Sequence, residues 1–335
     1  MRIPSNRVLK SDAARRVAAS ENAQHVVFVY IGIMTLTAAL VTVINYCLGL
    51  QIAKTGGLSN MGLRSVLSTI QSVLPMIQNV LGMCLQIGYI AAMMRISRRQ
   101  YTSCQTLKLG FDRFWLLLRT TLLQIFIYIA ACLACFWISA QIFAFLPAAA
   151  TVTELIAPIM TEGTLPMDIL LDDALYYQLV QVMLPLFAIL GVLYLIVMIP
   201  IAYSFRLVNY IIVDKPGLPA GAVLRESRNL MKGSRFRLLK LDLGLWWWYV
   251  LSLAISLVGY GDSLLPILGI TLPMNADLAY FLFYAIFLAA QFAAFFFLRN
   301  RVEVAYVQFY DCIRPRDQET GVVLGNIFQM QEDAE

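Results

Sequence analysis

The chain has 335 residues, of which 60% are hydrophobic and 13% charged, and its formal net charge is +5. With a mean hydropathy of +0.73, that balance excludes an ordinary soluble domain. A single histidine, His25, removes most zinc, haem and proton-relay chemistry.

Residues 1–25 read as a basic cytoplasmic segment carrying Arg2, Arg7, Lys10, Arg15 and Arg16. Apolar runs then predict six transmembrane helices, over residues 26–50, 66–94, 115–145, 179–205, 241–258 and 278–298. Each is close to the roughly 20 residues that a helix needs to cross a hydrocarbon core. The first run is too long for a signal-peptide core and no small-residue cleavage pattern follows it, so it reads as an uncleaved span. Gly56 and Gly57 suit a tight external turn. Cys132 and Cys135, a C-x-x-C inside the third apolar run, read as small packing residues, since no second pair accompanies them. Pro147, Pro158 and Pro166 break the long external stretch into short pieces. An interfacial helix is predicted over 219–232, punctuated by Pro219 and Gly233. Residues 311–335 are polar, without apolar periodicity, and are expected to be mobile. The fold class is all-α: a polytopic membrane domain over 26–310 with cytoplasmic interfacial helices.

Charge gives the orientation. Of the 25 Lys and Arg residues, only Lys54 and Arg64 fall outside the N-terminal segment, the second and fourth connections with their flanks, and the tail. The third and fifth connections hold Glu154, Glu162, Asp168, Asp172, Asp173, Asp262 and Asp277 with no Lys or Arg. Positive segments stay on the cytoplasmic side. Both termini are therefore expected on the cytoplasmic side, and the positive charge is explained without nucleic acid.

In the interfacial helix Val223, Leu224, Leu230 and Met231 recur at helical spacing, opposite Arg225, Glu226, Arg228, Asn229 and Lys232. Such a helix is expected to lie in the headgroup plane with its apolar face toward the acyl chains. Arg225, Arg228, Lys232, Arg235 and Arg237 form the candidate surface for anionic inner-leaflet lipid or a membrane protein partner, each worth about 1 kcal/mol near such a leaflet. A related pattern runs through Leu107-Lys108-Leu109-Gly110-Phe111 before the third span, as Leu230-Met231-Lys232-Gly233 does before the fifth. Either the two are copies of a parallel repeat or they share the constraints of a cytoplasmic loop.

The stretch Asp214-Lys215-Pro216, then Leu224-Arg225-Glu226-Ser227-Arg228-Asn229-Leu230-Met231-Lys232-Gly233, then Arg237-Leu238-Leu239-Lys240-Leu241-Asp242-Leu243 resembles a family signature, as does the closing Arg301–Tyr310 segment. The family is the bacterial integral membrane proteins described as domain of unknown function 975. The resemblance implies a polytopic bacterial membrane protein and assigns no activity.

Two intramembrane features are candidate sites. Gln71, Gln78, Asn79 and Gln86 give the second span a polar stripe, with Pro75 and Gly82 on the same face. It either lines a polar pathway or packs against neighbouring helices. Gln124, Gln141, Gln178, Gln181 and Gln291 are further candidates for the bundle interior. Arg119 and Asp242 are the ionisable residues inside the spans, and they either pair near the inner leaflet or stay separately hydrated. Trp246–Trp248 read as an inner aromatic belt. The external Asp168, Asp172 and Asp173 lack calcium-loop spacing, and no catalytic, cofactor or metal residues are assigned. The reading is a non-enzymatic envelope scaffold or accessory subunit. Its alternative is a transporter or lipid translocator for a neutral or amphiphilic substrate.

Overall fold

The computed structural model describes residues 6–20, 22–54, 61–152, 173–267 and 275–314. The turn with Gly56 and Gly57, the stretch with Asp168 and Asp172, the side chain of Asp173 and the tail beyond Arg314 lie outside the described residues. Among the described residues the backbone is almost wholly helical and contains no strand. Five helices are long and apolar enough to cross a membrane, or six if one bent pair counts as a span. Their outer faces are apolar and bare: Leu36, Met76, Phe126, Leu184 and Phe297 are 71%, 66%, 72%, 64% and 67% exposed. A soluble chain does not leave that much apolar surface in water; several such helices together mark a membrane-embedded protein.

The chain forms two compact units, Met1–Asp112 with Phe236–Glu335, and Arg113–Arg235. The first unit opens with α1 (Asn6–Ala18), a helix in the segment read only as basic, then α2 (Ala23–Lys54) and α3 (Met61–Ser97). α2 and α3 pack as a hairpin, and a 3-10 turn (Cys104–Lys108) followed by α4 (Leu109–Asp112) folds back against α3. Two glycines permit that return. A Cβ on Gly88 would sit 2.3 Å from the carbonyl oxygen of Leu107, and one on Gly110 would sit 1.8 Å from that of Cys84. Only backbone fits there.

The second unit contains α5 (Phe114–Ala144), α6 (Asp173–Phe205, with Pro185 and Pro200 inside it), α7 (Val208–Asp214) and α8 (Ala220–Met231). α5 packs along α6, and α8 packs against α5, α6 and α7. Pro219 caps α8 in extended conformation, and Gly233 follows it with φ of +79°, the left-handed conformation that glycine adopts without penalty. Gly110 and Gly233, aligned by sequence pattern, thus answer different needs: close approach at one, backbone handedness at the other.

The apolar face of α8 corrects an expectation. Val223 and Met231 are 0% exposed and Leu224 is 7% exposed, so this face is buried in protein and not turned toward acyl chains. The physical reason is supply. α5, α6 and α7 offer apolar surface beside α8, and α8 covers it with its own apolar face. Polar bonds fix the register: the Ser227 hydroxyl donates to the Ser204 carbonyl at 2.8 Å, and Lys215 Nζ reaches Glu226 Oε1 at 3.1 Å.

The chain returns to the first unit through α9 (Arg235–Gly244) and α10 (Trp246–Gly259), joined at a 61° bend. The span expected over 241–258 is therefore broken. Leu238 and Leu241 are fully buried, so α9 is anchored in the protein, and the apolar run continues across a change of direction that hydropathy does not register. α11 (Gly261–Ile267) begins where a Cβ on Gly261 would come within 2.5 Å of the Phe283 ring. α12 (Ala276–Ala294) passes through a π-helical turn (Phe295–Arg299) directly into α13 (Asn300–Ile313). α13 buries Val302 and Val304–Tyr310 and packs against α1 and α3.

Candidate functional site

Three cations, Lys10, Arg16 and Arg113, are committed to helix ends. Lys10 Nζ of α1 donates to the carbonyl of Gly244, the last residue of α9, and Arg16 donates to the carbonyl of Ser97, the last residue of α3. In the second unit Arg113 Nη1 donates to the carbonyls of Ile212 and Val213 at 2.5 and 2.8 Å, at the end of α7. Helix C-termini present unpaired carbonyls and a partial negative charge, so a cation there satisfies both. Arg98 pairs with Asp311 at 2.7 Å, and Asp12 is shared by Arg16 at 2.8 Å and Gln308 at 3.3 Å. Hydropathy and charge rules place these residues on one side; they do not reveal that α1 clasps two helix ends.

The candidate lipid or partner surface divides accordingly. Arg225, Arg228, Lys232 and Arg237 are exposed. Arg235 is half-buried, its Nε lacking a hydrogen-bond partner among the described residues. With the apolar side of α8 covered, what its outer face offers is charge.

The polar stripe divides as well. Gln71 Nε2 makes a long 3.4 Å contact to the Asn45 carbonyl, and Gly82 lies against Met34 of α2, which is packing. Asn79 is exposed and Gln86 half-buried. Gln141, Gln178 and Gln181 are exposed and not interior; Gln124 is half-buried. Gln78 is different. Together with Gln291 of α12 it lines a cavity of about 280 Å³ between α2, α3 and α12. Tyr284 forms another wall, accepting from Thr42 Oγ1 at 2.7 Å and donating to the Ala38 carbonyl at 3.2 Å.

At one end of the cavity stand Tyr30, Phe295 and Arg299. Tyr30 stacks on Tyr89 with ring centroids 4.6 Å apart and planes 13° from parallel. Tyr89 is fully buried, and its hydroxyl donates to Asn300 Oδ1 at 2.8 Å. The Arg299 guanidinium carbon sits 5.4, 5.2 and 4.4 Å from the ring centroids of Tyr30, Tyr89 and Phe295, within cation–π range of all three. Trp248 backs Phe295 at 5.5 Å; of the three tryptophans, Trp246 and Trp247 are the exposed ones. Phe295 and Arg299 are the first and last residues of the π-turn. Such turns recur at functional sites because they re-aim side chains.

Asp242 is held by tyrosines: Tyr306 donates to its Oδ1 at 2.5 Å, Tyr249 approaches the same oxygen at 3.3 Å, and the two hydroxyls are 2.8 Å apart. Arg119, its expected partner, is exposed on α5 in the other unit. Cys135 is buried beside the Leu193 carbonyl, and none of the six cysteines, all among the described residues, forms a disulfide. Among the described residues no group of three or more His, Cys, Asp or Glu side chains is placed to hold a metal ion.

The sequence signal missed was Arg299, grouped with the tail cations although Phe295-Phe296-Phe297-Leu298 precede it. No curated protein and no solved structure matches the chain. The family described as "Protein of unknown function (DUF975)" matches residues 9–317, nearly the full described length, and the chain belongs to it.

Proposed function

We propose that the chain is a multi-pass protein of the bacterial cell membrane with both termini in the cytoplasm. Its work is non-enzymatic: it presents a fixed cationic face to anionic inner-leaflet lipid, as an envelope scaffold or an accessory subunit of a membrane partner. The observation carrying this reading is α8, whose apolar residues Val223, Leu224 and Met231 are buried while Arg225, Arg228 and Lys232 face outward. A helix anchored in this way holds its charges at the membrane surface without inserting into it. Electrostatic attraction of about 1 kcal/mol per cation then attracts acidic headgroups.

The test is lipid selectivity at the protein boundary. Protein reconstituted with spin-labelled phosphatidylglycerol or phosphatidylcholine is expected to immobilise the anionic lipid preferentially, and salt is expected to weaken that preference. Changing Arg225, Arg228, Lys232, Arg235 and Arg237 together to Gln should bring the two lipids close to parity. An unchanged preference in that variant would reject the reading.

A second reading, a transporter or lipid translocator for a neutral or amphiphilic substrate, is favoured by one observation. Gln78 of the polar stripe lines a cavity and does not merely pack.

A further inference from the structure

The cavity between α2, α3 and α12 gathers polar groups at membrane depth. The side-chain amides of Gln78 and Gln291 face it and make no hydrogen bond to any described residue. In hydrocarbon a bare amide is costly, so an occupant with acceptor oxygens is favoured over an alkyl chain alone. Tyr30 lies one helical turn inside the first apolar run and Arg299 follows the last residue of the sixth, so this end of the cavity is at headgroup level. Ala38 lies eight residues beyond Tyr30, and Tyr284 fifteen before Arg299, so the cavity's lining runs about 12 to 22 Å inward. That is about two-fifths to three-quarters of the roughly 30 Å hydrocarbon core. Apolar Met34 lines it between Tyr30 and Ala38, and apolar Phe287 lines it one turn beyond Gln291.

We infer that this cavity binds one anionic phospholipid of the cytoplasmic leaflet. Its phosphate lies against Arg299, its glycerol-ester carbonyls accept from the free amides, and the first part of one acyl chain runs along Met34 and Phe287. Choice of leaflet rests on the orientation proposed above; the site itself is distinct from α8. Arg299 keeps its aromatic neighbours, which hold the guanidinium flat and partly desolvated, and its in-plane N–H groups match a phosphate. Glu303, one turn further along, competes with the ligand for this charge. The volume, near the lower end of ligand sites, suits a headgroup junction with a chain segment and not a whole lipid.

The experiment is native mass spectrometry of the full chain, extracted from bilayers containing equal phosphatidylglycerol and phosphatidylcholine. One phosphatidylglycerol per chain is expected to survive detergent, preferred over phosphatidylcholine by about tenfold or more. Arg299→Gln should lose that preference by a similar factor, Ala38→Phe should exclude the lipid by filling the cavity, and Glu303→Gln should retain it at least as well as the wild type. The five-residue Gln variant of α8 should retain it too, which separates this site from the surface tested above. Equal retention of both lipids, retention undiminished by Arg299→Gln, or displacement by excess inorganic phosphate would each overturn the proposal. Loss in the α8 variant would do the same. If Arg299→Gln does not yield folded protein, Ala38→Phe decides, and a retained phosphatidylglycerol there refutes the site.

Discussion

Gly110→Ala should be among the most damaging single-methyl changes in this protein, costing at least about 4 kcal/mol. The added Cβ would meet the Cys84 carbonyl oxygen at 1.8 Å and its carbon at 2.6 Å. Neither is a side-chain tip that can swing away. Relief requires α4 and the preceding 3-10 turn to lift off α3, and Gly88 against Leu107 closes the same contact from the other side. Gly233→Ala meets nothing within 4 Å but must hold φ near +79°, which costs roughly 1–2 kcal/mol. Gly217→Ala has open space and an ordinary backbone, and should be nearly silent. Thermal unfolding of the three purified variants checks the order. A Gly110→Ala protein as stable as Gly233→Ala would mean that the loop does not dock on α3.

The second large effect belongs to α1. Lys10→Ala with Arg16→Ala removes the donors to the last carbonyls of α9 and α3. A cation at a helix C-terminus contributes about 0.3–2 kcal/mol, and the bared carbonyls add their own desolvation, so the double variant should lose about 2–4 kcal/mol. The loss should be local. Hydrogen exchange is expected to accelerate in the last turns of α3 and α9, whereas Arg7→Ala, an exposed neighbour on α1, should change neither. Unaltered protection at Ser97 and Gly244 in the double variant would show that α1 merely rests on the unit.

These two predictions mark the boundary of what the sequence reveals. The long apolar helices were legible because a bilayer imposes length and apolarity on each helix separately, with no need to know its neighbours. Hence α2, α3, α5 and α6 begin and end within a few residues of the apolar runs. The bend inside the fifth apolar run was not legible, because Leu241 before it is as apolar as the residues after it, though Leu241 is buried in protein. The same ambiguity misplaced α8. A buried floor and a headgroup-inserted face have identical periodicity; only packing against α5 and α6 decides between them. Arg299 was hidden by its own position, since any cation after a last span satisfies the topology rule. Its aromatic cage is drawn from Tyr30 and Tyr89, distant in the chain. The amide stripe was legible as a stripe, but which of its members meets a cavity depends on α12.

The orientation of the chain in a membrane supports both the α8 surface and the lipid site, and fusion reporters measure it most directly. Alkaline phosphatase fused after Leu146 is expected to be active, and a fluorescent reporter after Met231 or Arg314 to fold in the cytoplasm, with the chain resisting alkaline extraction. Phosphatase silent after Leu146 but active after Met231 would invert the topology and contradict the account.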